Sequence, residues 1–532
     1  MRKATLSHRL RRKIRSRDSA FHPRNINYKW WLLGNIMVGT FMAVLDSTIV
    51  NVALPKIMTS FGVGIDKIEW VSTAYMLAMA VMLPTAGWMA DKFGYKRLYF
   101  LGMLFFTLGS LLCGMSGNED MLIIARVIQG FGAGTIQPLG MAIISREFPP
   151  QQRGVALGFW AIAAAASISF GPLIGGYLVD NFNWALIFDV NVPVGIIGMV
   201  ATIIIQTEYK NKRIRKFDIV GFISATIFLP VLLYALSQGN AETNSEGWSA
   251  PYILLCFAIS LIGMTVFITQ ELTVKEPLLD LRLLTNRNFG ICSLIMLMFS
   301  IGMFGSTFLL PLYLQNSLGY TALQAGAVFL PVGIIQGIMS PTSGFLTTKV
   351  NPKWILLTGI AMLAFSFYIN SSFSFLTERG YIMFGLYIRG FAMGIIFTPL
   401  STISLSQISK DKMAQASGVS NTIRQIGGSL GVAILTTVLT SRVTYHNELY
   451  SEALNPNAPA YQQVQSGLQH FAQKQIDSSP SIAGQQGKAL LISHIGKQAY
   501  IQGVDDDFLL VAVLTIIGGI PAFALRKRKE NV

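Results

Sequence analysis

The chain has 532 residues, 52% of them hydrophobic and only 13% charged, with a mean hydropathy of +0.51, whereas soluble domains carry about 25% charged residues. That balance excludes a soluble globular protein. The formal charge of +15 would suit a nucleic-acid binder if it lay on one folded surface, but it is spread through short segments between apolar stretches, so no nucleic-acid partner is expected.

Taken in order, the apolar stretches predict fourteen membrane spans, at 30–52, 69–90, 98–116, 122–145, 154–178, 185–206, 218–237, 251–270, 289–313, 322–346, 354–372, 381–406, 416–438 and 506–525, each about 20 residues long. The first run is too long for a signal peptide and lacks a small-residue cleavage site, which predicts a retained span. Of the 41 Lys and Arg, 31 fall in segment 1–29 and in the loops on its side. This bias predicts that both termini are cytoplasmic and that the number of spans is even. The run RLRRKIRSR (9–17) reads as part of that orientation signal, with a contact to anionic lipid or nucleic acid as the alternative. Cys113, Cys256 and Cys292 lie inside spans, whereas His8, His22, His446, His470 and His494 lie outside them. That distribution offers no disulfide framework, no metal site and no histidine at membrane depth for zinc or haem.

The chain also repeats itself. GWMADKFGYKRL (87–98) is echoed 257 residues later by GFLTTKVNPKWI (344–355), with Gly87/Gly344, Lys92/Lys349 and Lys96/Lys353 matched, and GFGAGTIQPL (130–139) by GFAMGIIFTPL (390–400). Two similar halves are the expected build of a secondary transporter, with its substrate site between them. The resulting organisation is 6+2+6: a basic cytoplasmic tail at 1–29, a first half at 30–206, an inserted pair at 218–270, a second half at 289–525 and a tail at 526–532. The second half includes a periplasmic loop at 439–505.

Charges inside spans cost about 2.5–3.5 kcal/mol each on insertion scales and mark candidate sites. Asp46 lies about 25 Å from the cytoplasmic face at 1.5 Å per residue, and Arg126, entering from the other side, reaches a similar depth. Burial favours the protonated carboxyl, whereas an approaching guanidinium favours the carboxylate, so a movable pair of this kind loads and releases a proton. A static structural ion pair is the plainer alternative. Arg126, Gln129, Gly130, Ala133 and Gln137 share one helical face, and Asn421, Arg424, Gln425 and Gly428 form a second stripe. Arg389, Asn35 and Gln336 complete the candidate cavity residues, and helix-to-helix hydrogen bonding without substrate contact is the competing use for all of them. Gly158, Ser167, Gly171, Pro172, Gly175 and Gly176 make a small-residue seam suited to a packed, movable helix.

At these residues the chain resembles the major facilitator superfamily, its fourteen-spanner drug/proton antiporter branch, and within that branch the EmrB type of exporter. LDSTIVNVALP (45–55) is similar to the span-1 signature and carries Asp46; GWMADKFGYKR (87–97) is similar to the gating motif, with Gly87, Asp91, Gly94, Lys96 and Arg97 in place; RVIQGFGAG (126–134) is similar to the span-4 motif. The 158–176 segment is similar to the antiporter motif with Ser167 where Gly is usual, and NWALIFDVNVPVG (183–195) is similar to the start of span 6, departing from it at Ala185 and Asp189. In the second-half echo Thr348 stands where the gating acid would fall.

The resemblance implies an all-α transporter, not an enzyme, that exports hydrophobic or amphiphilic compounds in exchange for protons. Its Asp46 and Arg126 would carry the proton, and the proton-motive force would replace any cofactor; no Walker-type nucleotide loop occurs. It further implies a bacterial inner-membrane location and a periplasmic adaptor with an outer-membrane channel as partners, docked on the 439–505 segment. There Tyr461, Val464, Leu468 and Phe471 recur at helical spacing, and a cap lying on the membrane is the alternative. Three intramembrane Arg against one clearly buried acid favour neutral or anionic amphiphiles. Export of one metabolite such as a fatty acid, uptake by symport and a non-transporting sensor are the alternatives.

Overall fold

The computed structural model describes residues 28–63, 65–210, 216–239, 244, 246–409, 412–453, 459–475 and 480–525. The basic run at 9–17 and the tail at 526–532 lie outside the described residues. Every regular element described is helical. The first half comprises α1 (Tyr28–Phe61), α2 (Ile65–Phe93), α3 (Tyr95–Gly114), α4 (Glu119–Glu147), α5 (Pro150–Asn181), α6 (Leu186–Asp189) and α7 (Asn191–Ile205). A middle pair follows, α8 (Ile219–Gln238) and α9 (Pro251–Thr273). The second half comprises α10 (Arg287–Asn316), α11 (Ala322–Ala327), α12 (Leu330–Lys349), α13 (Pro352–Ile369), α14 (Arg379–Leu405), α15 (Met413–Ala453), α16 (Pro459–Gln475) and α17 (Pro480–Gly519).

Among the described residues, 13 helical segments are long and apolar enough to cross a membrane, and the chain is a multi-pass membrane protein. The 13 do not include α5, the 32-residue helix over the fifth expected span. Side-chain caps start several helices: Asn118 accepts from the Met121 amide at the head of α4, with Glu119 and Asp120 behind it, and Asn286 does the same for α10. Two expected spans are interrupted. Pro193 and Pro331 have no N–H to return to the carbonyls of Asp189 and Ala327, and the helix breaks between α6 and α7 and between α11 and α12.

The segment expected as a loop at 439–505 is mostly helix instead. α15 runs unbroken for 41 residues and α17 for 40, each about 60 Å long, or twice the roughly 30 Å of a hydrocarbon core. About half of each helix therefore stands clear of a bilayer. α16 rests on α17, where a Cβ on Gly487 would lie 3.2 Å from the Gln469 amide nitrogen. The sequence hides this because the emerging half of each helix is polar, with no turn residues to end it. Val464 on α16 is exposed; the side chains of Tyr461 and Phe471 lie outside the described residues.

One apolar core is centred on Ile36, Phe106 and Ile136 of the first half and takes in Phe228 and Phe267 of the middle pair and Met413 and Val419 of α15, and a second, around Leu309, Phe367 and Phe508, lies within the second half. The halves meet along glycines. A Cβ on Gly158 of α5 would lie 2.5 Å from the Ser340 carbonyl of α12, and one on Gly344 would lie 2.5 Å from the Gly154 backbone. The middle pair sits outside both bundles: Trp70 of α2 stacks on Tyr234 of α8 at 5.6 Å, and Trp248 Nε1 donates to Thr437 Oγ1 of α15 at 2.9 Å. Most of α9 is exposed, leaving Leu255, Leu261 and Ile262 to face lipid. Gly158→Leu is expected to force α5 and α12 apart at an overpacking cost of about 1–3 kcal/mol. The purified variant should melt below the wild type, and an unchanged melting midpoint would show that the seam is looser than its geometry.

Candidate functional site

The first half converges on Asp46. Its α1 position is fully buried, as is that of Arg126 on α4, with side-chain exposures of 0% and 1%. Arg126 Nη1 donates to Asp46 Oδ2 and to Gln129 Oε1 at 2.6 Å, while its Nε donates to the Val71 carbonyl at 2.9 Å. Gln129 Nε2 donates to Asp46 Oδ1 and to Ser110 Oγ of α3, both at 2.7 Å. Asn191 Nδ2, at the head of α7, completes the shell at 3.2 Å from Oδ1. Aromatic rings cover the guanidinium, Tyr75 at 4.1 Å and Phe188 at 5.8 Å. The Tyr75 hydroxyl in turn donates to the Ala43 carbonyl one turn before Asp46 on α1, at 3.0 Å.

Small residues make this approach possible. A Cβ on Gly130 would lie 2.5 Å from the Tyr75 carbonyl, and one on Gly109 would lie 2.6 Å from the Gln129 amide nitrogen, so α2 and α3 close on α4 at backbone contact. Asn191, Ser110 and Tyr75 were not singled out by sequence. The asparagine sits in a motif whose neighbours depart from the usual pattern, and the other two are ordinary span residues. Asp189 is partly exposed and abuts Gly114 at the end of α3 rather than joining the shell.

The small-residue seam of α5 carries α1. Ser167 Oγ donates to the Phe41 carbonyl at 2.9 Å and to the Ala163 carbonyl at 2.7 Å, so the residue that replaces the usual glycine adds a bond to α1 that glycine has no atom to make. Gly171 lies against Thr48, whose hydroxyl donates to the Ser167 carbonyl at 3.3 Å, and a Cβ on Gly175 would lie 2.8 Å from Ile49 Cγ1. Gly158 faces α12 of the other half, while Gly176 lies 3.6 Å, measured from a Cβ position, from Leu323 of α11. Pro172 lies within the same unbroken helix. One helix thus touches the opposite half on one side and the backbone beside Asp46 on the other.

The candidate cavity residues separate into groups. Arg424 Nη2 of α15 donates to Gln137 Oε1 of α4 and to Asn421 Oδ1, both at 2.8 Å, a polar bridge across the two halves. Gln336 and Gln425 are half-buried. Asn35 points into the first half, where Nδ2 donates to Thr202 Oγ1 at 2.9 Å, and Gln129 belongs to the Asp46 shell. Arg389 is buried inside the second half, over Phe367 at 5.0 Å and Phe508 at 5.7 Å. The expectation that all eight line one cavity is therefore corrected: helical periodicity gives a shared face but not which neighbour that face meets.

The gating segment is a clasp at the basic end. Gly94 adopts φ +101, a left-handed conformation that suits glycine, and turns the chain from α2 into α3. Glu208, beyond α7, accepts from the Lys96 amide at 3.2 Å and the Arg97 amide at 3.3 Å, and pairs with Arg97 Nε at 3.7 Å. Lys96 Nζ reaches the opposite way, to the Ile203 and Gln206 carbonyls at 2.6 Å each. An acid thus meets the N-terminus of one helix and an amine the C-terminus of another, both favourable to the helix dipoles. Gly87 and Asp91 are buried in α2, and Tyr95 OH donates to Asp91 Oδ1 at 3.4 Å. The second half repeats the amine only: Lys353 Nζ donates to the Phe523 carbonyl at 2.6 Å, while Thr348 is exposed and bonds within its own helix. Removing either amine, as Lys96→Met or Lys353→Met, is expected to cost about 1 kcal/mol of stability. The thermal midpoints of the purified variants measure it, and a loss from only one of them would break the equivalence of the two clasps.

Comparison with known proteins identifies the family. Residues 36–432 match the Major Facilitator Superfamily model. The chain is 35% identical over 464 residues to the Multidrug export protein EmrB of Escherichia coli, covering 86% of this chain and 90% of that protein. It is 32% identical over 504 residues to the uncharacterized MFS-type transporter YhcA of Bacillus subtilis, covering 94% and 93%. The fold is similar to the crystal structure of the human organic anion transporter MFSD10, at TM-score 0.57 and 13% identity over 92% of this chain and 99% of that one. The chain therefore belongs to the major facilitator superfamily and is a membrane transporter rather than an enzyme.

Proposed function

We propose that the protein is a proton-coupled antiporter that exports neutral or anionic amphiphiles from the cytoplasm across the bacterial inner membrane, with both termini cytoplasmic. The observation that carries the reading is the Asp46 shell. A carboxylate with three donors, one of them a guanidinium, is stable in the interior only while that shell stays assembled. When α5 shifts against α12, it carries Phe41, Thr48 and Ile49 of α1 with it, the distance from Asp46 to Arg126 and Asn191 changes, and the carboxyl takes up a proton in compensation. Return of α5 restores the shell and releases the proton to the other side. Burial costs and hydrogen bonding alone supply the coupling, so no cofactor is required beyond the proton gradient.

The Arg424–Gln137 bridge is the proposed substrate contact. It lies between the halves, where alternating access exposes it to each side in turn. The projecting ends of α15, α16 and α17 are the proposed dock for a periplasmic adaptor leading to an outer-membrane channel; Tyr445, Leu449 and Ile492 lie exposed there.

The test uses inverted vesicles with an imposed pH gradient. Adding an amphiphile should collapse the gradient in the wild type and leave it intact in Asp46→Asn. If the wild type moves no protons while the purified protein still binds the compound, antiport is wrong. Arg424→Gln is expected to raise KM for anionic amphiphiles about tenfold, the loss of one charge-assisted hydrogen bond, with less effect on neutral ones. Equal effects on both classes would remove Arg424 from substrate recognition.

A further inference from the structure

The two halves can be compared atom by atom around their fourth and fourth-equivalent helices, α4 and α14. Gln129 precedes Gly130 in the first half as Arg389 precedes Gly390 in the second. Gln129 contacts Ser110 of α3; Arg389 contacts Phe367 of α13, which follows Lys353 at the interval by which Ser110 follows Lys96. Phe188 covers Arg126 in one half, and Phe508 covers Arg389 in the other. Cys113 bonds to Gln129 at 3.7 Å, and its counterpart by the same interval is Asn370, which abuts Gly385, one turn from Arg389 on α14.

In the same register Arg126 falls on Leu386, so the second-half charge sits one turn along its helix, and among the described residues no carboxylate accepts a hydrogen bond from it. On α10, Gly302 abuts Phe367, the ring beneath Arg389: a Cβ there would lie 3.1 Å from Val511, 3.3 Å from Thr515 Oγ1 and 3.5 Å from Phe367. Arg389 is 2% exposed, and among the described residues its Nε, Nη1 and Nη2 all lack a hydrogen-bond acceptor, as does Asn370 Nδ2. Nearby carboxylates do not serve. Asp505 Oδ1 accepts from the Phe373 amide at 2.9 Å, and both carboxylate oxygens of Asp507, on the same helix as Phe508, lack a hydrogen-bond partner among the described residues and so accept nothing from Arg389. An arginine remains charged in proteins, and an isolated buried charge costs several kcal/mol even after relaxation. Aromatic faces return only part of that.

We propose that Arg389 and Asn370 form a binding site for a small monoanion, a chloride ion or a carboxylate head group, within the second half between α10, α13, α14 and α17. The anion occupies the electrostatic role that Asp46 fills in the first half, so one half carries its counter-charge covalently and the other borrows it. The close packing at Gly302 leaves room beside α10 only for a compact charged group, a halide or the head of a carboxylate. The site stands apart from the proton role of Asp46, and neither reading requires the other.

The experiment is thermal unfolding of the full-length purified protein while chloride replaces gluconate at constant ionic strength, and separately while dodecanoate is added in gluconate. Each tenfold rise of a bound anion should raise the midpoint by about 2 °C. A response to chloride identifies the free ion, and a response to dodecanoate alone identifies the head group of an amphiphile. Either response should vanish in Arg389→Gln, which restores the first-half residue type, and weaken in Asn370→Leu. Direct bromide binding to the wild type, read from anomalous scattering in crystals, keeps the test valid should Arg389→Gln fail to fold. No anion dependence in the wild type, or an undiminished one in Arg389→Gln, overturns the site.

Discussion

A charged pair buried in the first half governs the surrounding structure. Taking a carboxylate and a guanidinium out of water costs several kcal/mol for each ion, and the attraction between them offsets this only when the remaining lone pairs and protons are satisfied. Here they are satisfied by five helices: Asp46 from α1, Val71 from α2, Ser110 from α3, Arg126 and Gln129 from α4, and Asn191 from α7. The glycines of α3 and α4 bring those backbones close enough for one carboxylate to hold them together. On the proposed function, stability and transport draw on the same atoms, and a motion that opens the shell must supply a proton or lose the fold locally.

In the proposed cycle α5 carries that motion. α5 contacts α12 through Gly158 and α1 through Ser167, Gly171 and Gly175, so displacement between the halves is transmitted to the backbone on either side of Asp46. The Gly94 clasp resists the same displacement at the basic end by tying α3 to the end of α7. The second half has its own clasp at Lys353 but no acid beside it. The halves are alike in frame and unlike in charge, and the asymmetry extends inward to Arg389 and Gly302.

Much of this was legible in the sequence. Apolar runs of span length, the bias of Lys and Arg, the echoed glycines and lysines, and the intramembrane Asp46 and Arg126 are properties of composition and spacing, because a bilayer penalises each exposed charge or broken helix strongly enough to write the pattern into the chain. In the 439–505 segment the same reading found the helical spacing of 461–471, where α16 lies, but not the long ends of α15 and α17, since outside the bilayer a polar helix carries no such penalty and leaves no such mark. Periodicity placed Arg126, Gln129 and Gln137 on one face, and that is where they lie. It gave no means of knowing that Gln129 turns to Asp46 while Gln137 turns to Arg424.

The sequence by itself determined the class of the protein, its internal repeat and the buried Asp46, Arg126 and Arg389, but not that Glu271, Asp505 and Asp507 are buried as well, so that Asp46 is not the one buried acid it was read as. Only the tertiary structure decided which charges meet. Asp46 and Arg126 are 80 residues apart and join through helices brought to backbone contact, whereas Arg389 meets two phenylalanines from α13 and α17 and no acid. The physical reason is that insertion into a membrane depends on each segment alone, but the pairing of charges within it depends on the packing of several segments at once.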